Sequence, residues 1–219
     1  MLSAMSELSV HPLGEAALCC TLPAPASLAR QQRIWQLAAG LAGVDGVLEL
    51  IPGMNNLTLL FDPLRTPADA IEASVQRLWA LPPRRRPPGR RVEIPVQYGG
   101  EQGPDLQQVA SHCGLDPDEV VRRHTAADYV VYFIGFQPGF AYLGGLDDAL
   151  HCPRRAEPRT AVPAGSVGIG GAQTGIYPLA TPGGWQLIGR TALPLFDPAA
   201  EPPTRLAPGD RVRFVAEDA

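Results

Sequence analysis

PAGSVGIGGAQTGIYPLATPGGWQLIGRT, Pro163–Thr191, decides the fold. Eight of its 29 residues are glycine. No helical period runs through it. Short β-branched runs alternate instead with Gly and Pro, and the same texture extends on both sides: helical periodicity ends at Gln137, and TAVPAGSVGIGG, TGIYPLA, GWQLIGRTAL and GDRVRFV follow. Such spacing predicts a barrel or sandwich with glycines at corners and bulges. Two other readings compete for the glycines. A P-loop needs GxxxxGK[ST], because the lysine and hydroxyl meet phosphate and magnesium; GIGGAQTG has no lysine, and it is flanked by strand-like runs rather than opening a helix. A dinucleotide fingerprint fails on the same ground, although backbone amides of such a loop can still form an anion nest. AGSVG sets Ser166 in a near match to GxSxG, with Ala164 for the first glycine. That elbow requires a helix after the serine, and IGGAQTGIY cannot start one. Ser166 is therefore read as a turn residue or a ligand hydrogen-bonding group.

Upstream, LPPRRRPPGRR (Leu81–Arg91) marks a boundary: prolines stop helices and stiffen a linker, and arginines keep it solvated. It divides the chain into an N-terminal α/β sandwich domain over 1–81, a Pro/Arg linker over 82–91 and a β-rich domain over 92–219. The first domain reads as a strand (EAALCCTL), a helix capped by Ser27 with Ile34, Leu37, Ala38 and Leu41 on its inner face, a hairpin through PGMNN, and a second helix with Thr66 as cap and Pro67 in its first turn. The order β-α-β-β-α predicts a ferredoxin-like sandwich if a closing strand is added. No catalytic constellation falls in this half, which reads as a scaffold or docking domain. The second domain opens with a strand (VEIPVQY) and two short helices. The later helix starts at Asp116, Pro117 and Glu119, a cap, a first-turn proline and a capping-box acid. DYVVYFIGF is then a strongly apolar strand.

Composition narrows the chemistry. The chain has 219 residues, a net charge of −4 and 18 basic residues, every one an arginine. Without lysine there is no Schiff base, no lysine general base and no P-loop lysine. The acidic balance and the lack of aromatics among the linker arginines argue against nucleic acid. Cys19, Cys20, Cys113 and Cys152 form neither a disulfide framework nor a zinc motif, and His112–Cys113 and His151–Cys152 are adjacent pairs rather than ligand spacings, so no metal site is expected. His124, ending a helix, is expected to interact with the helix C-terminus. The N-terminus lacks a basic region followed by a long apolar run. The expectation is a cytoplasmic protein with reduced thiols, without signal peptide or membrane span.

An anion-recognition set remains. PRRAEPRTAVPAG offers Arg154, Arg155 and Arg159 among prolines, and arginine forks match carboxylate and phosphate bidentately. Gln173, Thr174 and Tyr177 add neutral donors and acceptors. FIGFQPGFAYLGGLD adds a Pro–Gly loop with Phe136, Pro138, Phe140 and Tyr142; Trp185 and Arg190 follow in the glycine-rich segment. On pattern alone the alternative stays open: aromatics as core plugs, arginines as surface charges. Arg159, held between Pro158 and Pro163, is expected to be aimed at a ligand, whereas Arg154 and Arg155 lie in a looser run.

These segments, with YGGEQGPDL earlier in the chain, resemble the 5-oxoprolinase B-subunit family, which also goes by the names allophanate hydrolase subunit 1 and Kip-type kinase inhibitor. The resemblance spans nearly the whole chain and is densest over Gly135–Thr191; Gln97 and Gln137 depart from it. It implies a second domain that is a cyclophilin-like β-barrel. It also implies a partner with a related barrel, the C subunit of the oxoprolinase, and ATP-dependent cleavage of 5-oxoproline to glutamate in which the A subunit takes part. ATP, with or without Mg2+, is the expected cofactor, and the polypeptide that holds it is left open. Arg159, Gln173 and Tyr177 would be catalytic; Phe136, Pro138, Phe140, Tyr142, Arg154, Ser166, Thr174, Trp185 and Arg190 would bind substrate or nucleotide. Other members imply rival activities, namely inhibition of a histidine kinase, or a component of the urea carboxylase or allophanate hydrolase type.

Overall fold

The computed structural model describes residues 7–84 and 87–217. Arg85 and Arg86 of the Pro/Arg linker lie outside the described residues, as do the first six residues of the N-terminal stretch expected to carry no signal peptide. The chain divides into two compact units between Pro87 and Pro88.

The first unit contains β1 (Ser9–Pro12), β2 (Ala17–Thr21), α1 (Leu28–Leu41), β3 (Val47–Gly53), β4 (Asn56–Phe61) and α2 (Ala68–Trp79). Its antiparallel sheet has the order β1-β2-β4-β3. Leu57, Leu59 and Phe61 alternate along β4, and they pack with Ile34, Leu37 and Leu41 of α1 and Ile71, Val75 and Trp79 of α2 in one core. Strands β2, β4 and β3 lie in the order a βαββα sandwich requires. The closing strand comes from the N-terminal side instead of after α2: β1 pairs with the free edge of β2. Its sequence, SVHP, is short and ends in proline, which hides it from periodicity. Ser27 caps α1 as expected, accepting from the Arg30 N–H at 3.3 Å. Thr66 does not cap α2; its hydroxyl donates to the Asp45 carbonyl at 3.1 Å, and Pro67 occupies the cap position without a side-chain bond.

The second unit runs β5 (Arg91–Tyr98), α3 (Leu106–Cys113), α4 (Pro117–Ala126), β6 (Tyr129–Ile134), β7 (Ala141–Gly144), a 3-10 turn (Asp148–Leu150), β8 (Arg159–Val162), β9 (Ser166–Gly170), β10 (Gln173–Ile176), β11 (Thr181–Gly183), β12 (Gln186–Arg190) and β13 (Arg211–Ala216). Seven strands close into a barrel in the order β10-β7-β6-β13-β5-β12-β9, while β8 and β11 form a separate ribbon. The seam is parallel: β13 pairs with β5 from Arg211↔Arg91 to Ala216↔Val96. Ile94, Val96, Tyr129, Val131, Leu143, Val167, Ile169, Ile176, Ile188 and Phe214 belong to a single buried core, and α3 and α4 add Val109, Ala110 and Val120 to it. Asp116 caps α4 at 2.7 Å. Glu119 does not close the capping box; its carboxylate binds Arg122 and Arg123.

His124 corrects its expected place. It is fully buried in the second unit, where its ring lies 4.4 Å from that of Phe214. Burial holds its pKa down to about 3, so the ring is neutral. One tautomer satisfies every neighbour. The Tyr98 hydroxyl donates to Nδ1 at 2.7 Å, Nε2–H donates to Thr174 Oγ1 at 2.9 Å, and the Thr174 hydroxyl donates to the Gly168 carbonyl at 3.0 Å. A relay of this kind leaves no buried polar atom of the three side chains unpaired.

Candidate functional site

The site grows from missing side chains. Along β9, Val167 and Ile169 face the core, and Gly168 and Gly170 take the opposite face. Gly175 of β10 lies beside Gly168 in register. The Trp185 indole lies across this bare patch: a β-carbon on Gly170 would sit 2.5 Å from indole Nε1, and one on Gly175 would sit 3.1 Å from the ring and 3.2 Å from Phe140. These glycines are a bed for an aromatic layer on the outside of the barrel. Phe140, Val162, Tyr177, Trp185 and Leu187 form a second, smaller core there, with Tyr142 against it. Phe140 touches Tyr177 and Trp185 edge-on at 5.2 and 5.5 Å, and Tyr142 stacks on Phe133 at 4.2 Å.

The Pro–Gly loop rises from this layer. Phe136 is 62 % exposed and has a positive φ of 67°, an uncommon conformation for a bulky residue. Its ring still meets Phe140 edge-on at 5.5 Å. Pro138 is exposed beside it, and Gln137 donates to the Leu179 carbonyl at 3.3 Å. The loop therefore presents one apolar side chain outward over a buried aromatic floor.

Beside the layer is a charge clamp that the sequence pattern does not reveal. Asp105 is buried, and it receives both terminal nitrogens of Arg159 at 2.8 Å, Arg155 at 3.1 Å and the Leu187 N–H at 2.7 Å. The expectation for Arg159 is corrected accordingly. Its fork is already closed on a carboxylate, which fixes the loop between Arg155 and β8 to the barrel. Arg155, expected to be loosely placed, is part of the same clamp. Glu157 is the acid nearest to these arginines in the sequence, yet Arg155 and Arg159 both close on Asp105 instead, and no local pattern announces that pairing.

Arg154 is the open cation. It is exposed, its guanidinium lies 5.9 Å from the centre of the Trp185 ring, and it makes no hydrogen bond or ion pair among the described residues. Gln173 sits opposite Gly170 in register, hence on the Trp185 face, and its buried Nε2 has no partner. Tyr177 is buried. Desolvation pushes its phenol pKa up, offset in part by a hydrogen bond with the Trp185 backbone and by Arg154 and Arg159 nearby, so the group stays protonated at neutral pH. The structure thus brings Phe136, Phe140, Tyr142, Arg154, Gln173, Tyr177 and Trp185 together. It separates three others. Thr174 is sealed in the His124 relay, and Ser166 is buried at the start of β9, where its carbonyl accepts from the Tyr177 N–H at 2.9 Å. Arg190 lines a different cleft, with Nε donating to the Ala164 carbonyl at 2.8 Å.

Residues 8–206 match the family model for the carboxyltransferase domain, subdomain C and D. The chain belongs to this family. Within it, the chain is 56 % identical over 214 residues to the 5-oxoprolinase B subunit of Escherichia coli O157:H7, covering 97 % of this chain and 98 % of that one. Among solved structures, TTHA0988 superposes with a TM-score of 0.78 at 40 % identity over 93 % of this chain; the chain spans only 40 % of that protein's length. Kluyveromyces lactis urea carboxylase shares the fold, with a TM-score of 0.83 over 99 % of this chain and 22 % of its own, at 20 % identity.

Among the described residues no group of three or more His, Cys, Asp or Glu is placed to hold a metal ion. No described helix is long and apolar enough to cross a membrane. The exposed side of the aromatic layer offers one cation and a protruding phenylalanine on a rigid floor, and the Gln173 Nε2–H is a buried donor without a partner.

Proposed function

We propose that this chain is the B subunit of an ATP-dependent 5-oxoprolinase, which opens 5-oxo-L-proline to L-glutamate with its A and C subunits. The observation that carries this reading is 56 % identity across 97 % of the chain to a protein named for that role. The chemistry fits the geometry. A lactam is an unactivated amide, and transfer of the ATP γ-phosphoryl group to its oxygen prepares the ring carbon for water. Such a step needs fixed cations and donors around spreading negative charge more than it needs a nucleophilic side chain. In this reading Arg154 and the Gln173 Nε2–H point into the shared site, Tyr177 and Trp185 keep its floor dry, and the Asp105 clamp holds the arginine loop in place. Phe136 and the outer aromatic edge meet the partner barrel, since aromatics are favoured interface anchors.

The test is glutamate release from 5-oxoproline and ATP by the co-expressed polypeptides. Arg154→Ala should lower turnover about 10- to 100-fold, the worth of a lost charge-assisted hydrogen bond, with an unchanged thermal midpoint because the side chain is exposed. A well-folded, fully assembled complex that releases no glutamate overturns the assignment.

A further inference from the structure

A second cleft, about 450 Å³ in volume, opens at one end of the barrel, and neither Asp105, Arg155 nor Arg159 lines it. Register explains its polar wall. Arg190 of β12 lies directly opposite Gln97 of β5. Glu217 follows β13, whose last paired residue, Ala216, lies opposite Val96, and its own N–H donates to the Val96 carbonyl at 2.9 Å. Arg190, Gln97 and Glu217 thus form a row across three adjacent strands, and all three line the cleft, together with Gln102. Its apolar lining comes from Pro178, Leu193, Pro194 and Phe196.

The two charges in this row do not meet. Among the described residues neither Arg190 nor Glu217 takes part in an ion pair. Arg190 is held through Nε by the Ala164 carbonyl, and its two terminal nitrogens make no hydrogen bond among the described residues. A guanidinium and a carboxylate on one cavity wall, separated rather than paired, make a receptor for a molecule that carries both charges itself. The site has no net charge, and its two amides complement an uncharged polar side chain, since each offers both a donor and an acceptor.

We infer that this cleft binds a free, zwitterionic α-amino acid with an amide or similarly polar side chain. The α-carboxylate sits on the Arg190 fork, the ammonium sits on Glu217, Gln97 and Gln102 hydrogen-bond the side chain, and its methylenes run along Leu193 and Phe196. The inference is independent of the oxoprolinase reading, because the receptor lies wholly within this chain and its occupancy is read without turnover.

The experiment is calorimetric titration of the full chain with L-glutamine and with 4-carbamoylbutanoate, which keeps the carboxylate and the amide but lacks the ammonium. L-glutamine should bind with millimolar or tighter affinity and at least about tenfold better than 4-carbamoylbutanoate. Glu217→Gln should remove that preference by weakening glutamine alone, and Arg190→Gln should weaken both ligands. Both side chains are exposed, and a thermal scan of each variant checks the fold; should Arg190→Gln fail to fold, Glu217→Gln alone decides. No binding of L-glutamine up to about 10 mM overturns the site, and equal binding of the two ligands, or an unchanged preference in Glu217→Gln, overturns the zwitterion receptor.

Discussion

Asp105 shows how one side chain decides whether a cation is structure or function. In the sequence, Arg159 stands out because prolines flank it. In the fold that restriction serves the clamp, and the residue that completes it lies more than fifty positions away. Breaking a buried ion pair by removing one partner costs about 3–5 kcal/mol, since the other charge is left stranded. Asp105→Ala should therefore be the most destabilising change in the clamp. Arg159→Ala should cost less, because Arg155 and the Leu187 N–H still satisfy the carboxylate, and Arg155→Ala least. Chemical denaturation of the three variants gives the order; an Arg159→Ala protein as stable as the parent would return that fork to the ligand. His124 makes a second prediction, through protons. Its folded pKa lies well below the unfolded value of about 6.5, so the unfolded chain binds the extra proton between pH 6.5 and about 3. Stability from this group is fully present above pH 6.5 and is lost as pH falls. Moving from pH 7 to pH 5 should remove about 2 kcal/mol, and His124→Gln should remove that part of the pH dependence. The direction His124 faces was not legible, because an apolar helix face and a helix end are both compatible with VVRRHTA.

At the scale of elements, the sequence pattern assigns the glycines of β9 and β10 to corners and bulges, whereas Gly168, Gly170 and Gly175 make room for Trp185. Period-2 burial explains why: side chains at the alternate positions Gly168 and Gly170 would stand on the face opposite Val167 and Ile169, leaving no room for the indole. Gly170→Ala should displace Trp185, cost about 1–3 kcal/mol by overpacking, and shift the tryptophan emission to the red in a background where Trp35 and Trp79 are phenylalanine. Gly171→Ala, where nothing lies within 4 Å of an added β-carbon, leaves the indole alone, and the loss there comes only from its φ of 67°. The helices and strands of both halves were legible because their apolar periods and caps are local. β1 was not, because a four-residue strand ending in proline carries too few alternations to register, and the run TAVPAGSVGIGG did not show that β8 pairs with β11 apart from the barrel.

For the whole molecule, the division at residue 87 falls inside the Pro/Arg-rich stretch, whereas closure of the barrel has no mark in composition, since pairing partners far apart in sequence leave no local trace. The last strand, β13, sits between β5 and β6, the first two strands of its unit. Deleting residues from Arg211 onward should leave the edges of β5 and β6 bare, and unpaired edges template aggregation; light scattering of the truncated chain, beside far-ultraviolet dichroism of the isolated first unit, checks this. The same seam orders events on the ribosome. The first unit can mature while the rest of the chain is still emerging, whereas the second must wait, with six strands made and its two sides apart, until residues through Ala216 have cleared the exit tunnel. During that interval the nascent chain is a client for holding chaperones, and slowing translation over the codons of β13 would lengthen its exposure.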